Sequence, residues 1–117
     1  MAVKSVAFTM YPVSDLERAV AFYADVLGFR KAGLESPFWV EFDVDGTTFG
    51  IGNFEQVGSP GTAQSFAVEV EDVFDYRKRL AAKGVEATEP HELQNCWISV
   101  VKDPDGNMVW LHQSKAR

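Results

Sequence analysis

The sequence predicts an α+β fold: two tandem βαβββ modules forming a cup-shaped, curved mixed sheet with the helices on its outer face. Three repeated landmarks carry that expectation. Val13-Ser14-Asp15-Leu16 returns as Val70-Glu71-Asp72-Val73, 57 residues on. Leu27-Gly28-Phe29 returns as Lys83-Gly84-Val85, 56 residues on, and Asp43-Val44-Asp45-Gly46 as Asp103-Pro104-Asp105-Gly106, 60 residues on. The same order with a drift of a few residues marks a duplicated supersecondary unit. A pseudo-twofold pair of modules leaves a cleft between them, where small-molecule chemistry is usually placed.

Each element follows from local chemistry. Residues 3–11 alternate as a strand. Ser14-Asp15-Leu16-Glu17 reads as a capping box in which the Ser14 hydroxyl accepts from the Glu17 backbone N–H. Leu16, Ala19, Val20, Tyr23 and Leu27 then recur at helical spacing, and Gly28 suits the left-handed residue that ends a helix. Strands are expected at 29–33, 38–43 and 47–52, the last two joined at Asp45-Gly46, a strong tight-hairpin signal. Residues 53–63, with Gly58, Ser59, Pro60 and Gly61, form a linker between modules at about 1–53 and 64–117 of one domain spanning 1–117. The second copy repeats the plan: a strand at 64–71, a helix capped by Asp72 with Val73, Tyr76 and Leu80 as its stripe, and Gly84 to stop it. Strands follow at 85–88, 96–102 and 107–113, with a loop at 87–95 carrying Pro90 and an exposed His91. A ferredoxin-like βαββαβ domain is the competing architecture; it requires 29–33 and 85–88 to be coil.

Composition narrows the function classes. At 117 residues and 46% hydrophobic, the chain can build a core without disulfides. The single Cys96 excludes an internal disulfide, fits a reducing cytoplasm and sits in an apolar run as a buried, inert thiol. A formal charge of −6 argues against a nucleic-acid partner. Apolar runs fall short of the roughly 20 residues of a membrane span. Met1-Ala2-Val3-Lys4 leads straight into the first strand, so no cleavable leader is expected and a cytoplasmic location is.

Val13-Ser14-Asp15-Leu16-Glu17-Arg18-Ala19-Val20-Ala21-Phe22-Tyr23, then Val26-Leu27-Gly28-Phe29, closely resembles the opening of the vicinal oxygen chelate superfamily. Asp103-Pro104-Asp105-Gly106-Asn107 before the last strand does so too. That superfamily includes glyoxalase I, extradiol dioxygenases, fosfomycin-modifying enzymes and bleomycin-binding resistance proteins. The resemblance spans the whole chain and is specific for fold, much less so for activity. It implies a homodimer. It also implies that metal-dependent relatives hold a divalent ion at positions that fall here on Phe8, Gly50, Ser65 and Trp110. Phenyl and glycine offer no lone pair, an indole only donates, and a lone serine hydroxyl binds weakly. A one-residue slip turns each side chain to the other face of the sheet. The expectation is therefore no metal and no cofactor.

If those positions face the cup, strand alternation predicts its lining. Phe8, Met10, Trp39, Gly50, Ser65, Ala67, Trp97, Met108 and Trp110 are the candidate ligand-binding residues, with Ser99 beside Trp97. This aromatic, sulfur-rich set suits a planar or apolar ligand held by stacking and dispersion. A second outcome stands open beside it: the rings fill the hollow as a solid core or dimer interface. Glu69, Glu41 and His112 are the cup-side candidates for acid–base catalysis. The expected function is metal-free capture of a small, partly aromatic ligand. A lyase, isomerase or dioxygenase, metal-independent or with ligands foreign to the family, is the alternative.

Overall fold

A computed structural model describes residues 2–115. The elements run β1 (Thr9–Pro12), α1 (Leu16–Val20) continuing into a π-helical turn (Ala21–Val26), β2 (Arg30–Glu35), β3 (Trp39–Val44), β4 (Thr47–Gly52) and a 3-10 turn (Glu55–Val57). The second half gives β5 (Phe66–Glu69), α2 (Val73–Ala82), β6 (His91–Glu92), β7 (Cys96–Lys102) and β8 (Met108–Ser114). Each half is a βαβββ module. Strand order is β1-β4-β3-β2 in one sheet and β5-β8-β7-β6 in the other, with the outer strand parallel and the rest antiparallel in both. The chain divides into two compact units, Met1–Pro60 and Gly61–Arg117.

In unit 1 the helix lies on one face of its sheet. Tyr11, Phe42, Phe49 and Ile51 from the strands bury against Ala19, Phe22, Tyr23 and Leu27. Tyr23 is the hub, with ring centroids 5.1 Å from Phe22, 5.1 Å from Phe49 and 6.0 Å from Phe42. Full burial of such side chains contributes about 1.5–3 kcal/mol each, so this cluster is the main stabilising contact of the unit. The helix departs from the expected continuous α form. Leu27 N–H reaches back five residues to the Phe22 carbonyl, and the widened turn seats the adjacent Phe22 and Tyr23 both in the core. Its cap is Asp15 rather than Ser14. Helical dihedrals begin at Leu16, and the Asp15 carboxylate accepts from the Arg18 N–H at 3.2 Å. Asp45 and Gly46 take φ of 49° and 89°, the left-handed pair a two-residue hairpin turn needs.

Unit 2 buries Val73 and Leu80 of α2 against Val101, Val109 and Leu111. Asp72 caps α2 as expected, accepting from the Phe74 and Asp75 N–H groups. The strand expected at 85–88 is absent. Val85 N–H is taken by the Leu80 carbonyl at the helix end, and Arg77 holds the Ala87 carbonyl. Beyond Pro90, which has no N–H to give a ladder, pairing resumes as β6 against Trp97 and Ile98. The turn before β8 closes on buried Asn107. Its Oδ1 accepts from Gly61 and Ala63 N–H, and its Nδ2 donates to Asp103. Among the described residues no helix is long and apolar enough to cross a membrane.

Candidate functional site

Each sheet has one helix-covered face and one open face, and the open faces carry the candidate residues. In unit 1 the register pairs Met10 with Gly50, and Trp39 and Glu41 with Gly52 and Gly50, so these five share the open face. Trp39 lies across Gly50 and Gly52. A Cβ on Gly50 would clash with its indole ring, and one on Gly52 would lie 3.0 Å from it. Phe8, 44% exposed, meets that ring edge-on at 5.4 Å. The indole is also tied by chemistry: its Nε1 donates to Glu41 Oε2 at 2.9 Å, while Glu41 Oε1 accepts from the Leu34 N–H at 3.2 Å. That second bond closes the irregularity where β2 shifts register between Lys31 and Glu35 around Gly33, whose φ is 97°. Glu41 thus holds Trp39 and the bulge in place. Sequence reasoning missed this positioning role, though Trp39 and Glu41 at i and i+2 on one strand signalled contact.

In unit 2 the pairs Ala67–Trp110 and Glu69–His112 place four candidate residues on one open face, and Met108 follows by alternation. Trp110 Nε1 donates to the Gln64 carbonyl at 2.8 Å, next to the exposed Ser65. Glu69 Oε1 lies 2.6 Å from His112 Nδ1, and its Oε2 accepts from the Ser114 N–H at 2.7 Å. The Ser114 N–H is the main cause holding the Glu69 carboxyl below its ordinary range; desolvation opposes it, and the His112 bond adds a lesser lowering. An open hollow of about 690 Å³ adjoins this face at Val100, Lys102 and Met108. A second hollow, about 650 Å³, lies in unit 1 by Ser14, Glu17, Lys31 and Val40, away from the candidate residues.

Trp97 and Ser99 correct the expected lining: both point to the helix-covered side. Trp97 pairs with Gln113 and Ser99 with Leu111. The Trp97 ring packs against Phe74 of α2 at 5.1 Å, with Lys115 Nζ 5.4 Å from its centroid. Ser99 is 1% exposed and donates to the Thr88 carbonyl at 2.6 Å. Loop length is the reason. Val44 and Thr47 flank a two-residue turn, whereas Lys102 and Met108 flank a loop running from Asp103 to Asn107. That change from an even to an odd loop slides β7 by one position, which exchanges its faces. Ile98 and Val100 therefore take the places expected of Trp97 and Ser99.

The positions that the resemblance assigns to a metal ion do not suit one. A phenyl ring stands at Phe8, indole covers Gly50, and the Trp110 indole N–H is already spent on a carbonyl. Ser65 alone offers an oxygen. Among the described residues no three His, Cys, Asp or Glu side chains stand together as a ligand set. The open face of unit 1 offers a fixed indole beside a methionine, and that of unit 2 separately offers an indole, a methionine and one carboxylate–imidazole pair.

Comparison with known proteins places this arrangement. Residues 5–111 match the family model of the glyoxalase/bleomycin resistance protein/dioxygenase superfamily. A probable lactoylglutathione lyase from Vibrio cholerae is 27% identical, over 92% of this chain and 88% of that protein. Among solved structures, TnmS3, an antibiotic binding protein from Streptomyces sp. CB03234, superposes with a TM-score of 0.87 at 27% identity, covering 98% of this chain and 99% of that one. A lactoylglutathione lyase from Agrobacterium tumefaciens superposes with a TM-score of 0.82 at 20% identity, covering 97% and 96%, a likeness of fold.

Proposed function

The chain belongs to the glyoxalase/bleomycin resistance protein/dioxygenase superfamily, and from that premise we propose that it is a metal-free binding protein for a small, partly aromatic molecule. The carrying observation is the locked indole of Trp39. Its ring sits on a floor of glycines and is fixed by Glu41, so it offers a stacking surface whose ordering cost is met before any ligand arrives. Phe8 and Met10, 44% and 42% exposed, flank it, and Trp110 with Ala67 and Met108 offers the same chemistry in unit 2. Likeness over nearly full length to an antibiotic binding protein supports the reading. We read the protein as a cytoplasmic homodimer. The exposed Leu34 and Phe38 of unit 1 are apolar surface that a second copy would cover.

The test is direct. Dialysed protein is titrated with a panel of planar aromatic compounds, read by tryptophan fluorescence and thermal shift. Trp110→Ala and Trp39→Ala should each weaken binding at least tenfold while circular dichroism stays native. Unchanged binding in both variants sinks the proposal.

A second reading is a lyase or isomerase that uses His112 as its base, and the Glu69–His112 pair favours it. Turnover lost in Glu69→Gln with ligand binding retained would establish that reading over capture alone.

A further inference from the structure

Glu69 and His112 are adjacent on parallel strands, yet neither behaves as an independent group. Each Glu69 oxygen is committed, Oε1 to the His112 ring at 2.6 Å and Oε2 to the Ser114 backbone N–H at 2.7 Å. A carboxylate held at both oxygens fixes the ring beside it. Facing an ionised carboxylate, Nδ1 carries the proton, so a neutral His112 must hold its lone pair at Nε2. Nε2 takes no hydrogen bond among the described residues. The imidazole remains about one-third exposed.

Away from Glu69 and Ser114, its neighbours across and along the sheet are apolar. Ile98 pairs with His112 across the ladder, Val100 with Trp110, and Ala67 with Trp110 on the other side. An oriented acceptor thus stands at the border between the charged Glu69 end of the strand and an apolar stretch, one alternation step from an indole. The complementary molecule has a flat apolar body and a single hydrogen-bond donor at its edge. Resting on the ligand-binding reading above, we propose that the Glu69–His112 pair is the polar anchor for a hydroxyl-bearing planar arene. In it His112 Nε2 accepts the ligand O–H and Glu69 positions the ring. Trp110 supplies the stacking surface for the body of the same molecule.

The experiment compares 2-naphthol with 2-methoxynaphthalene, which share a ring system and differ in the donor, by calorimetry on the full chain. One neutral hydrogen bond predicts about a tenfold preference for the naphthol. His112→Leu should erase that preference while binding the ether within about twofold of wild type. Ring ¹⁵N shifts, recorded at a pH high enough that the imidazole is neutral, should show the Nδ1-protonated tautomer in wild type and a mixture of tautomers in Glu69→Gln, whose naphthol preference falls severalfold. A purely structural role for Glu69 leaves the tautomer unmoved and overturns its positioning part. Equal wild-type affinity for the two probes overturns the anchor alone, whereas no binding of either overturns the ligand-binding reading and the anchor with it. Should His112→Leu not fold, the wild-type probe pair and the Glu69→Gln tautomer still decide.

Discussion

Gly50→Ala separates a designed resting place for an indole from a merely small residue. Gly50 has an ordinary strand φ, so backbone conformation does not demand glycine there; only Trp39 does. Adding a methyl leaves two routes. The strands shift to admit it, an overpacking cost of about 1–3 kcal/mol. Otherwise the ring swings away, losing an edge contact with Phe8 worth about 0.5–1.5 kcal/mol and a charge-assisted bond to Glu41 worth about 1.5–3. Either route predicts a loss near 2–3 kcal/mol. In a Trp39→Ala background the clashing ring is gone, and alanine should gain about 0.5 kcal/mol from the reduced freedom of its unfolded chain. The coupling between the two sites is then about 3 kcal/mol. Urea unfolding followed by circular dichroism on the four proteins measures it; with an m-value near 1.5 kcal/mol/M the midpoint of Gly50→Ala falls by roughly 1.3–2 M. Additive effects, with coupling below about 0.5 kcal/mol, would refute the idea that the glycines exist to seat Trp39.

Four further outcomes are expected. Asn107→Ala strips three hydrogen bonds made by a fully buried side chain and should cost about 2–4 kcal/mol in urea unfolding; a loss under about 0.5 would show that the Asp103–Asn107 knot does not organise the loop. The Glu69 carboxyl is depressed in the folded state, so its contribution is full above the unfolded value of about 4.5 and disappears as pH falls through the lower folded value. The thermal midpoints of wild type and Glu69→Gln should therefore differ at pH 6 and draw together as the pH is taken progressively below 4.5; a constant difference contradicts this. Elemental analysis after dialysis should find no stoichiometric divalent metal, and one retained equivalent of zinc, nickel, manganese or iron overturns the metal-free reading. Mixing the protein with methylglyoxal and glutathione, with or without added metal, should give no lactoylglutathione by absorbance; formation above the uncatalysed rate would favour the lyase reading.

Much of this molecule is written locally. The duplicated landmarks, the helical stripes ending at Gly28 and Gly84, and the Asp45-Gly46 turn act through neighbours in sequence, so their consequences appear without a structure. Face assignment on β1, β4, β5 and β8 needs only alternation, because the parallel pairs bring matched positions together. Even the chemistry at Phe8, Gly50, Ser65 and Trp110 is a property of side chains, and it tells against an ion before any fold is drawn.

What required tertiary structure is whatever depends on counting across a loop or on two groups meeting. The longer turn before β8 shifts β7 by one residue, sending Trp97 to α2 and Ile98 and Val100 to the open face. Pro90 and the Leu80–Val85 bond displace an expected strand into β6. The wide turn at Ala21–Val26 exists because two aromatic rings compete for one core. The joining of Glu41 to Trp39, and of Glu69 to His112, turned isolated carboxylates into positioning groups. Local sequence sets which way a backbone bends and which face a side chain takes within its own strand. Register and pairing are relations between distant segments, settled by the packed whole.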